Sequence, residues 1–224
     1  MVSAPAAAGG RPGAGAVAKT FVERFDGVER AVHWATALIM LELIATGMIL
    51  YIPSFSLAVG HRGIIETIHV FTGLALLLPL IIGVAGPWRA KLVGDIRRFD
   101  QWSRADWDWF HTKQRRSHEP LGKFNGGQKA EASLLGGGMV VMLVTGAIMR
   151  FGPARWVTWA QGATLVHDAG FLLIGLAVAG HIYVALTKPD QLKAIFTGRI
   201  SRAWARRHTP AWLEEIDGEA ESVS

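Results

Sequence analysis

Residues 164–187 read TLVHDAGFLLIGLAVAGHIYVALT, twenty-four residues with one acidic side chain and two histidines. A stretch this long and apolar predicts a transmembrane helix, since about 20 residues suffice to cross roughly 30 Å of hydrocarbon. A lone strand there would leave its backbone polar groups unpaired in lipid. His167 and His181 are fourteen residues apart. At about 100° per residue they fall within some 40° of each other on one helix face, about 21 Å apart along the axis. Two ionisable rings on one face of a membrane span need a reason, because such groups are expensive in lipid and commonly functional.

Three further stretches carry the same signal: AVHWATALIMLELIATGMILY at 31–51, IIETIHVFTGLALLLPLIIGVAG at 64–86 and ASLLGGGMVVMLVTGAIMRF at 132–151. With 50% hydrophobic residues and a mean hydropathy of +0.28, the 224-residue chain is too apolar for these to be core helices of a soluble domain. The fold class is therefore all-α, a four-transmembrane-helix bundle. The net charge of +5 and the isoelectric point near 9.9 first suggest nucleic acid. Sorted by segment, however, 20 of the 23 Lys and Arg fall in the N-terminal tail, the loop 87–131 and the C-terminal tail, and only 3 on the opposite side. The positive-inside rule then puts both termini and the long loop in the cytoplasm. Trp34, Trp88, Trp156 and Trp159 stand near the expected span ends, where an interfacial aromatic belt belongs. Residues 1–20 read as a flexible Ala/Gly/Pro-rich cytoplasmic tail without the pattern of a cleaved signal peptide. The membrane domain covers 21–216, and 217–224 form a C-terminal tail.

Four of the eight histidines fall inside the spans: His33, His69, His167 and His181. His61, His111, His118 and His208 lie in polar stretches and read as solvated side chains. With helices alternating in direction from a cytoplasmic N-terminus, His69 and His167 come to the outer level and His33 and His181 to the inner one. Two imidazoles from facing helices at each level would ligate two haem irons axially, a closed coordination suited to electron transfer. Zinc would call for three or four ligands at one depth. The chain has no cysteine, so thiolate metal sites and covalent c-type attachment are both excluded and the haems are b-type. Gly47, Gly73, Gly170, Gly175 and Gly180 offer room for a flat macrocycle on the same helices, although glycine also serves helix packing in membranes. Arg30, Arg150 and Arg155 are candidate partners for haem propionates or interfacial anchors.

Several segments together resemble the cytochrome b, or gamma, subunit of membrane-bound formate dehydrogenase. They are RAVHW at 30–34, HVFTG at 69–73, KFNGGQK at 123–129, LVHDAG at 165–170, GHIYVA at 180–185 and GRISRAWARRHTPAWLEEI at 198–216. The resemblance implies a di-haem cytochrome b, with His69 and His167 on the outer haem and His33 and His181 on the inner one. It also implies a quinone site beside the inner haem at Asn125, Gly127 and Gln128. The implied partners are an iron–sulfur subunit and a molybdenum- or tungsten-containing catalytic subunit, because the oxidation of formate is not performed on this chain. Two departures stand out: Val70 follows His69 where the family often has proline, and Asp168 follows His167. The rival readings are the cytochrome b of a nickel–iron hydrogenase or another respiratory oxidoreductase, a non-haem transporter using intramembrane histidine, and an anchor whose haems carry no essential current.

Overall fold

The computed structural model describes residues 20–112 and 119–222. The expected tail lies outside the described residues except for Thr20, and so does His118. The chain begins with a short strand β1 (Phe21–Glu23), then enters helix α1 (Gly27–Tyr51). Asp26 caps α1: its carboxylate accepts from Glu29 N while the Glu29 side chain accepts from Asp26 N, a reciprocal capping box. This cap starts the helix four residues before the expected span, because polar residues at a helix entry satisfy its free N–H groups even where hydropathy is low.

A short helix α2 (Pro53–Val59) turns the chain at the far end, and the second span follows as two pieces, α3 (Arg62–Ala75) and α4 (Leu78–Ala85). One continuous helix was expected over 64–86. Pro79 explains the break, since it has no N–H to bond the carbonyl four residues back and its ring crowds that turn. Helices α5 (Ala90–Asp100) and α6 (Arg104–Thr112) lie outside the spans. The third span, α7 (Gly126–Phe151), starts six residues before its expected boundary, and after a 3-10 turn the fourth, α8 (Val157–Leu186), starts seven before. All four spans are long and apolar enough to cross a membrane. They close into a ring in which α1 packs on α3, α3 on α7, α7 on α8 and α8 back on α1.

Beyond α8 come α9 (Pro189–Thr197), strand β2 (Arg199–Ser201), α10 (Arg202–His208) and α11 (Pro210–Ser222), which continues into the stretch expected as a tail from 217. β2 pairs antiparallel with β1, with Phe21 opposite Ser201, Val22 opposite Ile200 and Glu23 opposite Arg199. This pairing brings the two ends of the described chain to the same end of the bundle, as an even number of spans requires. Val22, Ala194, Ile200, Trp204, Ala205, Trp212 and Leu213 form a compact apolar core there. Burying each large side chain of this set removes it from water for about 1.5–3 kcal/mol. The spans themselves bury little against one another, 6–17% of their most apolar stretches. Their outward surface is apolar because lipid, like a core, offers no hydrogen bonds.

Candidate haem and quinone sites

The four intramembrane histidines meet in two pairs. The His69 and His167 rings, from α3 and α8, have centroids 6.3 Å apart, and the His33 and His181 rings, from α1 and α8, have centroids 6.2 Å apart. Two imidazoles bound to one metal ion through nitrogens about 2 Å away, each ring centre roughly 1 Å behind its nitrogen, stand about 6 Å apart. The donor set and spacing therefore fit axial ligation of one iron at each level. Among the described residues no group of three or more His, Cys, Asp or Glu side chains is placed to hold a metal ion. His61, His111 and His208 are all exposed, and His208 also stacks on Trp204 at 4.4 Å and 17°.

The ring nitrogens are oriented by residues that sequence reading did not identify. Thr46 Oγ1 lies 2.8 Å from His69 Nδ1, and Thr145 Oγ1 lies 2.9 Å from His167 Nδ1. Each threonine donates its single proton to a carbonyl one turn back, that of Glu42 for Thr46 and that of Val141 for Thr145. Each hydroxyl oxygen is then the acceptor for an Nδ1–H, which leaves Nε2 of both histidines unprotonated and free to ligate. At the other pair, Glu131 Oε1 lies 3.2 Å from His181 Nδ1 and takes the same acceptor role with a carboxylate. The signal in the sequence was a polar residue inside an apolar span at histidine depth, but only packing tells which one faces a ring.

Glycines bring helix backbones close to the first pair. A Cβ on Gly146 would sit 3.3 Å from His167 Cε1, and one on Gly47 would sit 3.5 Å from His69 Cε1 and 3.4 Å from the Phe171 ring. At Gly175 and Gly180 a Cβ would meet nothing within 4 Å. Of the candidate propionate partners, Arg30 is engaged elsewhere: Nη1 donates to the Phe196 carbonyl at 2.6 Å and Nε to the Asp26 carbonyl at 3.2 Å, fastening α1 to α9. Arg150 is exposed and leans over the Phe151 ring.

The KFNGGQK segment turns the chain into α7. Asn125 accepts from Gln128 N at 3.0 Å while Gln128 Oε1 accepts from Asn125 N at 3.1 Å, so the two amides are first of all a helix cap. Gly127 packs against Trp109, whose ring occupies the space of any Cβ. Asn125 and Gln128 also line a cavity of about 240 Å³ together with Arg24, Lys188, Gln191, Trp204 and His208. Gln128 reaches Gln191 across it. Glu131 follows Gln128 by three residues, on the same side of α7, so the cavity wall leads within one turn to the partner of His181.

Residues 24–198, from the residue after β1 to the residue before β2, match the model of the prokaryotic cytochrome b561 family. The chain belongs to that family. Its relatives include the formate dehydrogenase cytochrome b556(fdo) subunit of Escherichia coli, 25% identical over 87% of this chain and 93% of that protein. The nitrate-inducible cytochrome b556(Fdn) subunit of the same species is 23% identical over 85% of this chain and 89% of that protein. The formate dehydrogenase cytochrome b556 subunit of Haemophilus influenzae is 27% identical, covering 83% and 79% respectively. Family and spans together make this cytochrome b561-type chain a multi-pass inner-membrane protein with an electron-carrying role at family level.

Proposed function

We propose that this chain is the membrane-anchoring di-haem cytochrome b subunit of a formate dehydrogenase, passing electrons from an iron–sulfur subunit to quinone. The observation that carries the reading is the meeting of four intramembrane histidines as two pairs, each about one axial ligand set wide, about 21 Å apart along α8. His69 and His167 hold one b haem and His33 and His181 the other; when bound, the haems supply one-electron transfer across the bilayer. The similarity to three formate dehydrogenase cytochrome b subunits over most of their lengths supports formate as the electron source.

The chain's own contribution is geometry and proton placement. Thr46, Thr145 and Glu131 keep Nδ1 of three of the histidines bonded and leave Nε2 as the nitrogen that would hold the metal. The cavity at the entry to α7 binds the quinone head group, with Asn125 and Gln128 as polar contacts. The excess of Lys and Arg at this end of the bundle supports a cytoplasmic position for the cavity, where protons for quinol are drawn from solvent. A molybdenum- or tungsten-containing subunit, reached through the iron–sulfur subunit, performs the oxidation of formate.

A redox-resolved optical spectrum with a pyridine haemochrome count should give two b haems per chain. His69→Ala or His181→Ala should each remove one. A protein that folds with no Soret band would overturn the assignment and favour a non-haem transporter. Formate against hydrogen as donor to the purified complex separates formate dehydrogenase from hydrogenase, and normal quinone reduction by a one-haem variant would reduce the chain to an anchor.

A further inference from the structure

Three uncovered aromatic rings stand together at the capped end of the bundle. Trp102, in the turn after α5, and Trp107 and Phe110, on α6, are 37%, 57% and 45% exposed. Ring centroids are 5.2 Å apart for Trp102 and Trp107 and 6.4 Å apart for each of the other two pairs. They take no part in the haem or quinone sites. Contiguous apolar patches are uncommon on surfaces that stay in water, and rings that touch one another yet keep their outer faces bare mark a surface that something covers.

Helix α6 divides into two faces. By helical spacing Arg104, Trp107, Phe110 and His111 fall on one side, and all four are exposed. Ala105, Asp106 and Trp109 fall on the other and seat the helix on the first turn of α7. Asp106 pairs with Lys129, whose Nζ also donates to the Gln101 carbonyl at 2.7 Å. The Asp106 carbonyl occupies the space of a Cβ on Gly126, and the Trp109 ring that of one on Gly127. Ser103 N and Oγ each donate to Asp106 Oδ2 at 2.9 Å, which fixes the turn that carries Trp102.

Two features of α7 tell what lies against the bare face. Its 26 residues run about 39 Å at 1.5 Å each, close to the roughly 40–45 Å of a bilayer with its headgroups. Its first turn, and α6 with it, therefore stands in the headgroup layer. The side is set by helical spacing: Ser133, Gly137, Val140 and Val144 lie within about 40° of Gly126 around α7, and all four are exposed. The face of α7 that α6 covers at its base is thus the face that meets lipid above it. We propose that α6 is an interfacial lipid-binding helix, with Trp102, Trp107 and Phe110 inserted between phospholipid headgroups beside α7 and Arg104 against a headgroup phosphate. Tryptophan and phenylalanine with a flanking arginine suit that layer, where one end of a side chain is apolar and the other wet. Because α6 is pinned to Gly126, Gly127 and Lys129, the lipid contact also steadies the KFNGGQK entry to α7.

The chain has no cysteine, so single nitroxide labels report the surroundings of α6 in the full chain, reconstituted in vesicles of phosphatidylethanolamine and phosphatidylglycerol. One label goes on Phe110→Cys, inside the patch, and another on Arg104→Cys, which keeps all three rings. Val144→Cys marks lipid and Arg206→Cys, exposed on α10, marks water. The measured quantity is relaxation by oxygen, which concentrates in lipid, relative to relaxation by a water-soluble nickel chelate. This ratio should be severalfold higher for the Phe110→Cys and Arg104→Cys labels than for the Arg206→Cys label. Adding Trp102→Ser and Trp107→Ser to the Arg104→Cys chain should lower its ratio severalfold toward the water value. Helicity and melting temperature are recorded for every variant, and if one labelled chain does not fold, the other decides. Ratios equal to that of Arg206→Cys would overturn the proposal by placing the patch in water. Labels shielded from both reagents would overturn it in favour of a covering protein, and a high ratio kept without the two tryptophans would remove the role given to the rings.

Discussion

Thr46 and Thr145 perform one task from two helices. Each sits one turn past the carbonyl that takes its proton and presents a hydroxyl oxygen to a histidine Nδ1. Losing such an orienting partner typically lowers the affinity of a metal site about 10–100-fold. Thr46→Val and Thr145→Val, which keep shape, should therefore each lower retention of the haem proposed at His69 and His167 and spare the other, measured as haem per chain after detergent washing. Glu131 does the same for His181 with a carboxylate. An ionised acceptor draws the Nδ1 proton toward itself and makes the imidazole a stronger electron donor, which stabilises oxidised iron. Glu131→Gln should raise the midpoint potential of that haem alone in a spectroelectrochemical titration. None of the three contacts was legible in the sequence, because a threonine or a glutamate inside a span reads the same whether it faces a ring, a neighbouring backbone or lipid.

At the scale of elements, α8 supplies one histidine to each pair, and the others come from α3 and α1. The two levels are thus fixed by the rise of one helix, and the partners by which helices pack on it. Helix α7 contributes no member of either histidine pair but carries Thr145, Gly146 and Glu131, so it acts as the backing of α8. Gly146 lets its backbone lie against the His167 ring, and a Cβ there would already be 3.3 Å from Cε1. Gly146→Val should displace that ring and lose one haem, leaving the His33–His181 site loaded; equal loss of both haems would indicate general misassembly instead. The spans and their histidines were legible because hydropathy and helical spacing are local properties. Two helices begin ahead of their apolar stretches because capping boxes at Asp26 and Asn125 start helices in polar sequence. The break at Pro79 had its signal in the sequence, yet the apolar run across it concealed the change in backbone.

On the scale of the whole molecule, the capped end is held by a charge cluster joining three distant segments. Lys123 pairs with Asp95 of α5 and lies 3.3 Å from Glu29 of α1, all three nearly buried. Burial, with the hydrogen-bonded Glu29 carboxylate beside it, pushes Asp95 up to about 7 from its ordinary 3.8. A carboxyl whose folded pKa is raised holds its proton more tightly in the folded state. Its contribution to stability is complete below pH 4 and is lost as pH rises toward 7. The melting temperature of the wild type should accordingly fall by several degrees relative to Asp95→Asn between pH 4 and pH 7. A constant difference across that range would show that Asp95 is ionised throughout. The bidentate pair of Arg98 and Glu215, at 2.9 and 2.5 Å, adds a further tie from α5 to α11.

The amino-acid sequence by itself determined the four spans, their two histidine levels and the charge asymmetry, and its missing cysteines excluded thiolate metal sites. Each of these follows from composition or from spacing within one helix. Which ring faces which, what holds each Nδ1, and the cavity that gathers Arg24, Asn125, Gln128 and His208 were decided only by the tertiary structure. The reason is the distance along the chain: Val22 pairs with Ile200, and this long-range contact brings α10 and the entry of α7 beside Arg24. No local pattern encodes such a meeting. It arises because the polar ends of four membrane helices share an apolar cap, and the cavity lies beside that cap.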